Sequence, residues 1–252
     1  MDANDVKKRS RREFLETAGA VAASVALAGI PLGARVAASA NGPSMKIGVI
    51  GSGRIGGTLG GLWVKAGHEV LFSARNLDPV QKLAASLGPM AHAGTPKEAA
   101  VFGDVILISV PYGALPQLGR DLAADLKGKV VLDTCNPNPG RDGDMAVAAR
   151  AKGTGVASAE YLPGVRLVRA FNTVGSGALR SEAHRAGDKV AVPLAADDEA
   201  ALKIAIQLVQ DAGFEPVVVG PLARAKEFDT GTPVYGKALT AAELRRGLGM
   251  GS

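Results

Sequence analysis

Residues 45–75, MKIGVIGSGRIGGTLGGLWVKAGHEVLFSAR, constrain this chain more than any other stretch. A short apolar run, Lys46 to Ile50, precedes Gly51-Ser52-Gly53-Arg54-Ile55-Gly56. A helical pattern follows, then Gly67, then a second apolar run ending at Phe72-Ser73-Ala74-Arg75. That order of strand, glycine turn, helix and strand is what a dinucleotide pyrophosphate requires. Gly51 allows the tight turn, Gly53 lets backbone approach phosphate, and Gly56 lets the helix lie close to the strand. The first-turn N–H groups and the positive end of the helix dipole then face the anion.

The end of the second run carries a further message. A site for the unphosphorylated dinucleotide usually places Asp or Glu there, to accept hydrogen bonds from the ribose. This chain has Ser73, Ala74, Arg75 and Asn76, with no acid before Asp78. A carboxylate would repel a 2′-phosphate, whereas Arg75 can grip one through charge-assisted bonds, with Ser73 and Asn76 adding neutral ones. The pattern therefore favours NADP(H) over NAD(H).

Composition removes several other classes. The chain has 252 residues, 47% of them apolar, enough for a sizeable core in one large domain or two small ones. Aromatic residues make up only 4%, too few for a base-stacking nucleic-acid platform. The net charge of +5 is partly local to residues 1–40, and no dense basic run occurs beyond Arg12, so nucleic-acid and membrane-surface binding are not expected. Cys135 is the single cysteine, which precludes an intramolecular disulfide and a cysteine-rich metal site. His68, His92 and His184 are scattered without metal-ligand spacing and read as surface or loop residues.

Residues 1–40 read as a leader rather than as part of the fold. Ser10-Arg11-Arg12-Glu13-Phe14-Leu15 precedes an alanine-rich apolar stretch from Ala18 to Leu32, and Ala38-Ser39-Ala40 offers small residues for cleavage. The combination resembles a twin-arginine export signal, implying passage through that machinery and a periplasmic or extracellular mature chain cut near Ala40. The apolar stretch is shorter than the roughly 20 residues of a spanning helix, so no permanent anchor is expected.

From Met45 onward strand and helix patterns alternate. Helical stretches are expected over 54–66, 80–87, from the Thr95-Pro96 start to Phe102, over 112–126, 145–152 and 197–212, and from the capping box Thr240-Ala241-Ala242-Glu243. Strands are expected over 46–50, 90–92, 105–110, 130–133, 166–170, 189–194 and 215–219, besides the one ending at Arg75. Asn136-Pro137-Asn138-Pro139-Gly140 reads as loop, neither helix nor strand. The alternation predicts an α/β fold: residues 45–252 form a single doubly wound, Rossmann-type domain with a mostly parallel sheet.

Several segments together resemble NADPH-dependent reductases of coenzyme F420, a deazaflavin, and the related NADPH domain of six-transmembrane metalloreductases. They are MKIGVIGSGRIG, the serine-and-arginine end of the second strand, ISVPYGA, RLVRAFNTVGS and FEPVVVGPLARAKEFD. The resemblance covers nearly all of the chain after the leader. It implies that Ser52, Gly53, Arg54 and Ile55 wrap the pyrophosphate, and that Ser73, Arg75 and Asn76 hold the 2′-phosphate. It also implies that Val110 and Pro111 line the ribose and nicotinamide side, with Ala170 and Asn172 near the nicotinamide. The loops at Pro111-Tyr112 and Asn172 depart partly from the deazaflavin reductases. The Asn-containing loop is closer to the metalloreductase-like members, which pass hydride to a flavin. The second substrate is thus a deazaflavin or a flavin.

No catalytic acid or base stands out. Asp133 ends a strand, where it can cap the next turn. Hydride transfer between nicotinamide and a flavin-like ring needs no proton donor from the protein, because the cofactor carries the chemistry and the protein sets orientation. The expectation is an NADP(H)-dependent oxidoreductase acting on a small-molecule redox partner. The alternatives are a dehydrogenase of a small imine or hydroxy acid, and a non-catalytic NADPH-binding redox module. The segment after Pro221 could cover the cleft or pair two copies into a homodimer.

Overall fold

Alternation along the central strands decides the layering. The computed structural model describes residues 42–251. The leader reading therefore lies outside the described residues. β1 (Lys46–Ile50), α1 (Gly56–Ala66), β2 (Glu69–Ser73), α2 (Asp78–Leu87), β3 (Ala91–Gly94), α3 (Pro96–Phe102) and β4 (Val105–Ile108) build the first half. Then come α4 (Leu115–Asp121), α5 (Ala123–Leu126), β5 (Val130–Asp133), α6 (Pro139–Asp142), α7 (Asp144–Lys152), α8 (Thr154–Tyr161) and β6 (Arg166–Arg169). α9 (Ser176–Ser181), β7 (Ala191–Ala196), α10 (Glu199–Asp211), β8 (Glu215–Gly220), a 3-10 helix over Leu222–Phe228 and α11 (Ala241–Gly247) follow.

The strands form one eight-stranded sheet in the order β3-β2-β1-β4-β5-β6-β7-β8. Only β6 and β7 pair antiparallel; the other neighbours are parallel. This is the doubly wound, mostly parallel sheet expected from the sequence. Because side chains alternate across a strand, Val105 and Leu107 join one buried cluster while Ile106 and Ile108 join the other. The first cluster packs β-strand side chains against Leu59 and Trp63 of α1 and Ala205 and Leu208 of α10. The second packs them against Ala99 of α3, Leu115 of α4 and Ala157 of α8. Burial on both faces explains why β4 and β5 read as unbroken apolar runs.

Close approach is built in where α1 crosses the sheet. A Cβ at Gly60 would collide with the Phe72 ring of β2. Trp63, fully buried, donates its indole N–H to the Leu208 carbonyl at 2.8 Å and so ties α1 to α10. Asp198 caps α10 by accepting from the Ala201 N–H at 2.7 Å. The capping box read from the sequence at Thr240 is formed, and the helix start read at Thr95-Pro96 is a capping box too, closed by Glu98.

Three expectations are corrected. Asn136–Gly140 is not wholly loop: Asn138 accepts from the Gly140 N–H at 3.0 Å, and α6 begins at Pro139. Proline there has no N–H to lose and its fixed φ suits a first turn. α8 was not anticipated; Gly153 and Gly155 suppress its helical signal, and tertiary burial of Ala157 and Ser158 supplies what propensity does not. His68 is not a surface residue. It is fully buried, with Nε2 3.0 Å from Asp211 and Nδ1 accepting from the Met45 N–H at 3.1 Å. The Nδ1 acceptor role fixes the neutral tautomer with its proton on Nε2.

Candidate dinucleotide site

The order of strands reverses between β1 and β4, which opens a crevice at their carboxyl ends. The glycine turn lies in that crevice and is pinned to β2. The Gly51 and Ser52 N–H groups both donate to the Ser73 carbonyl, at 3.1 and 2.9 Å. Gly51 adopts φ 98°, and a Cβ there would strike the Ser109 carbonyl. A β-carbon is thus excluded by both backbone conformation and space. At Gly53 a Cβ would meet nothing within 4 Å, so the turn faces open space at that point. α1 starts without a side-chain cap; in its first turn the Gly57 N–H donates to the Gly53 carbonyl at 2.8 Å, and no side chain closes the helix start against an anion.

A cavity of about 930 Å³ fills the crevice. Ile50, Gly51, Ser52 and Gly53 form its floor. Ala74 and Arg75 beyond β2, with Thr95, Pro96 and Lys97 beyond β3, form one wall. Val110, Pro111 and Gly113 beyond β4, with Gln117, Leu118 and Asp121 of α4, form the other. The Ser52 hydroxyl is buried beside this space without a hydrogen-bond partner. An orphaned hydroxyl, an uncapped helix start and a glycine cradle all fit a bound pyrophosphate.

Of the residues named from the sequence, Gly51, Ser52, Gly53, Arg75, Val110 and Pro111 line the cavity. Arg54, Ile55 and Gly56 do not; Gly56 lies buried beneath the turn, and a Cβ on it would strike the Gly51 carbonyl. One of the three expected phosphate ligands is committed elsewhere and a second is partly engaged. Ser73 is fully buried and donates to the Val49 carbonyl at 2.8 Å, so it locks the strand end instead of meeting a ligand. Asn76 turns its Oδ1 to the Asp78 N–H at 3.2 Å just ahead of α2, an acceptor role that leaves its Nδ2 donors to a ligand. Arg75 is exposed, and among the described residues it has no hydrogen-bond or ion-pair partner. Lys97 was missed by the sequence reading, which took its neighbourhood only as a helix start. The rule that found Arg75, a cation just past a strand end, applies to it as well.

Ala170 and Asn172 also lie outside the cavity. Ala170 is fully buried in the core. Phe171 takes a left-handed φ of 56°, and its ring packs edge-on to Trp63 and Phe214. The turn at Phe171 sends Asn172 inward, where Nδ2 donates to the Phe228 carbonyl at 3.1 Å. Asn136 donates in turn to the Asn172 carbonyl at 2.8 Å.

A buried charge cluster occupies the neighbouring strand ends. Arg169 faces Asp133 across the β5–β6 ladder, and both are fully buried. The guanidinium donates to Asp133 Oδ2 at 3.0 Å, the Cys135 carbonyl at 2.6 Å and Asn136 Oδ1 at 2.7 Å. Asp229, 3.4 Å from Arg169, also accepts from the Thr154 N–H at 2.8 Å. Asp133 does cap the following turn, accepting from the Cys135 N–H at 2.8 Å. Burial pushes the Cys135 thiol well above its ordinary value, with Asp133 adding to the effect, so it stays protonated and inert. Burial likewise raises the Tyr112 phenol.

One carboxylate braces the cavity from outside. Asp142 Oδ1 accepts from the Gly113 N–H at 3.2 Å, and Oδ2 accepts from the Asn138 N–H at 2.9 Å. Arg141, bonded to both of its oxygens, holds the Asp142 carboxyl down at about 2, with the two N–H bonds helping.

Fold and site together define a doubly wound dinucleotide-binding domain. Residues 46–137 match the family described as NADP oxidoreductase, coenzyme F420-dependent, which bears out the resemblance read from the sequence over that segment. The chain is 28% identical over 188 residues to metalloreductase STEAP3 of Rattus norvegicus, an alignment spanning 73% of this chain and 36% of the rat protein. Among solved structures, a hypothetical protein from Sinorhizobium meliloti superposes with a TM-score of 0.68 at 23% identity, covering 79% of this chain and 96% of that one. A protein from Arthrobacter sp. FB24, described as a candidate F420-dependent NADP-reductase, gives 0.62 at 21% identity, covering 73% and 88%. These two structures share the fold with this chain.

Proposed function

We propose that this protein is an NADP(H)-dependent oxidoreductase that passes hydride between a nicotinamide and a deazaflavin or flavin ring. The observation that carries the reading is the crevice: a glycine turn, an uncapped helix start and the unpaired Arg75 share one cavity. The turn and α1 hold the pyrophosphate, and Arg75 reads the ribose 2′-phosphate. Val110 and Pro111 shape the wall that leads toward the reacting ring. Bound there, the nicotinamide supplies the hydride.

A ring-to-ring transfer suits the protein groups nearby. Asp133, Cys135, Arg169 and Tyr112 are buried and engaged with one another or with neighbours. None of the four lines the cavity. Such a wall, shaped by Val110 and Pro111, suits the positioning of rings, and none of these four groups stands there to move the proton that a carbonyl or imine reduction needs. Mixing the protein with NADPH and either oxidised F420 or FMN should bleach the acceptor's visible band at catalytic protein concentrations. NADPH binding without turnover of either acceptor would sink the reductase reading and leave a nucleotide-binding redox module.

Export belongs to the same proposal. Arg11-Arg12 ahead of an apolar run supports passage of the folded, nucleotide-loaded chain through the twin-arginine route. Replacing Arg11 and Arg12 by lysine should leave the uncleaved chain in the cytoplasm. Unchanged export of that variant would contradict it.

A further inference from the structure

We infer that Lys97 is the second cation of the 2′-phosphate site and sets, with Arg75, the preference for the phosphorylated dinucleotide. The inference rests on the NADP(H) reading above. It starts from a shortfall. A ribose 2′-phosphate is a monoester bearing roughly −1.5 to −2 charge at neutral pH. Of the three residues expected to meet it, Ser73 is buried against the Val49 carbonyl and Asn76 is a neutral amide, so neither brings a positive charge. Arg75 alone leaves about half to one negative charge uncompensated.

The geometry points to where the balance comes from. β2 and β3 run parallel, with Ser73 paired to Gly94, so the residues just past each strand emerge side by side at the same edge of the crevice. Arg75 lies two positions past Ser73 and Lys97 three past Gly94, and both line the same cavity. Among the described residues neither cation has a hydrogen-bond or ion-pair partner. The acid next in sequence to Lys97 is already engaged. Glu98 Oε2 accepts from the Thr95 N–H at 2.7 Å and from its hydroxyl at 2.9 Å, closing the α3 capping box. The capping box also fixes the first turn of α3 and hence the base of the Lys97 side chain. Pro96 and Ala74 flank the two cations on that wall and offer apolar surface to the adenine. An ammonium on a flexible stem acts as a point charge and complements the planar fork of arginine, which supplies direction.

The test compares Lys97→Met, Lys97→Arg and the unmodified protein by equilibrium titration with NADPH, NADH, 2′,5′-ADP and 5′-ADP. Lys97→Met should weaken NADPH and 2′,5′-ADP roughly tenfold or more, leave NADH and 5′-ADP within about twofold, and flatten the salt dependence of NADPH binding. Lys97→Arg should restore most of the loss. An unchanged NADPH affinity in Lys97→Met, or an equal loss for NADH, would overturn the role of Lys97. Failure of the unmodified protein to bind either dinucleotide would instead overturn the functional reading on which it rests.

Discussion

Over the carboxyl ends of β1, β2 and β4 the polar groups are left open; over those of β5 and β6 they are largely turned on one another. The first region presents a helix start without a side-chain cap, an unpaired Ser52 hydroxyl and two uncommitted cations to a cavity of about 930 Å³. The second buries Arg169 between Asp133 and Asp229 and is strapped by the segment from Phe228 to Gly236, whose N–H donates to the Thr173 carbonyl at 3.0 Å. The same sheet edge thus binds in one place and braces in the next. The difference lies in pairing: a cation next to a buried carboxylate becomes structure, and one left without a partner stays open to a ligand.

The largest effect should come from breaking the closed region. Arg169→Met would strand Asp133 as a buried, uncompensated charge, costing about 3–5 kcal/mol in a denaturant melt. Double replacement with Asp133→Asn should recover part of that loss. A change below about 1 kcal/mol would mean that the cluster does not brace the fold. In the open region, Arg75→Ala should leave stability unchanged and weaken NADPH roughly ten- to a hundredfold, the range of a charge-assisted bond, with NADH barely affected. An equal loss for both nucleotides would blur the contrast between the two regions.

Ser73→Ala sharpens the boundary between them. Loss of the bond to the Val49 carbonyl should cost about 1 kcal/mol of stability, while the NADPH-to-NADH affinity ratio stays unchanged. A shift in that ratio would reinstate Ser73 as a ligand contact. A pH-dependent effect concerns Asp142, whose carboxyl is held at about 2 against an ordinary 3.8. The stabilisation it provides is complete above its unfolded value and disappears as pH falls through about 2. The stability difference between the protein and Asp142→Asn should therefore be constant near neutrality and shrink on acidification below about pH 4. A difference that grew with acid would contradict the assignment.

Legibility in the sequence followed the same division. The glycine turn, the strands through β5 and the capped helices were readable because local rules govern them: turn conformation, apolar runs and side-chain caps. Arg75 was readable because a strand end two residues away fixes its location. Ser73 was misread because its hydroxyl can serve a phosphate or a backbone carbonyl, and only the β1–β2 register shows the carbonyl in reach. Arg169 and Asp229 were invisible as partners, since 60 residues separate them and the contact exists only after the strap closes over β6. α8 stayed hidden for a related reason: packing against Leu222 and Ala225 favours it where its own glycines do not.

The central claim is that the open crevice takes a phosphorylated nicotinamide dinucleotide. Titration of the unmodified protein with NADPH and NADH, followed by nucleotide fluorescence at fixed ionic strength, tests it most directly. The account predicts NADPH binding at least tenfold tighter than NADH, with 2′,5′-ADP displacing it and 5′-ADP failing to at the same concentration. Equal affinities, or tighter binding of NADH, would contradict it.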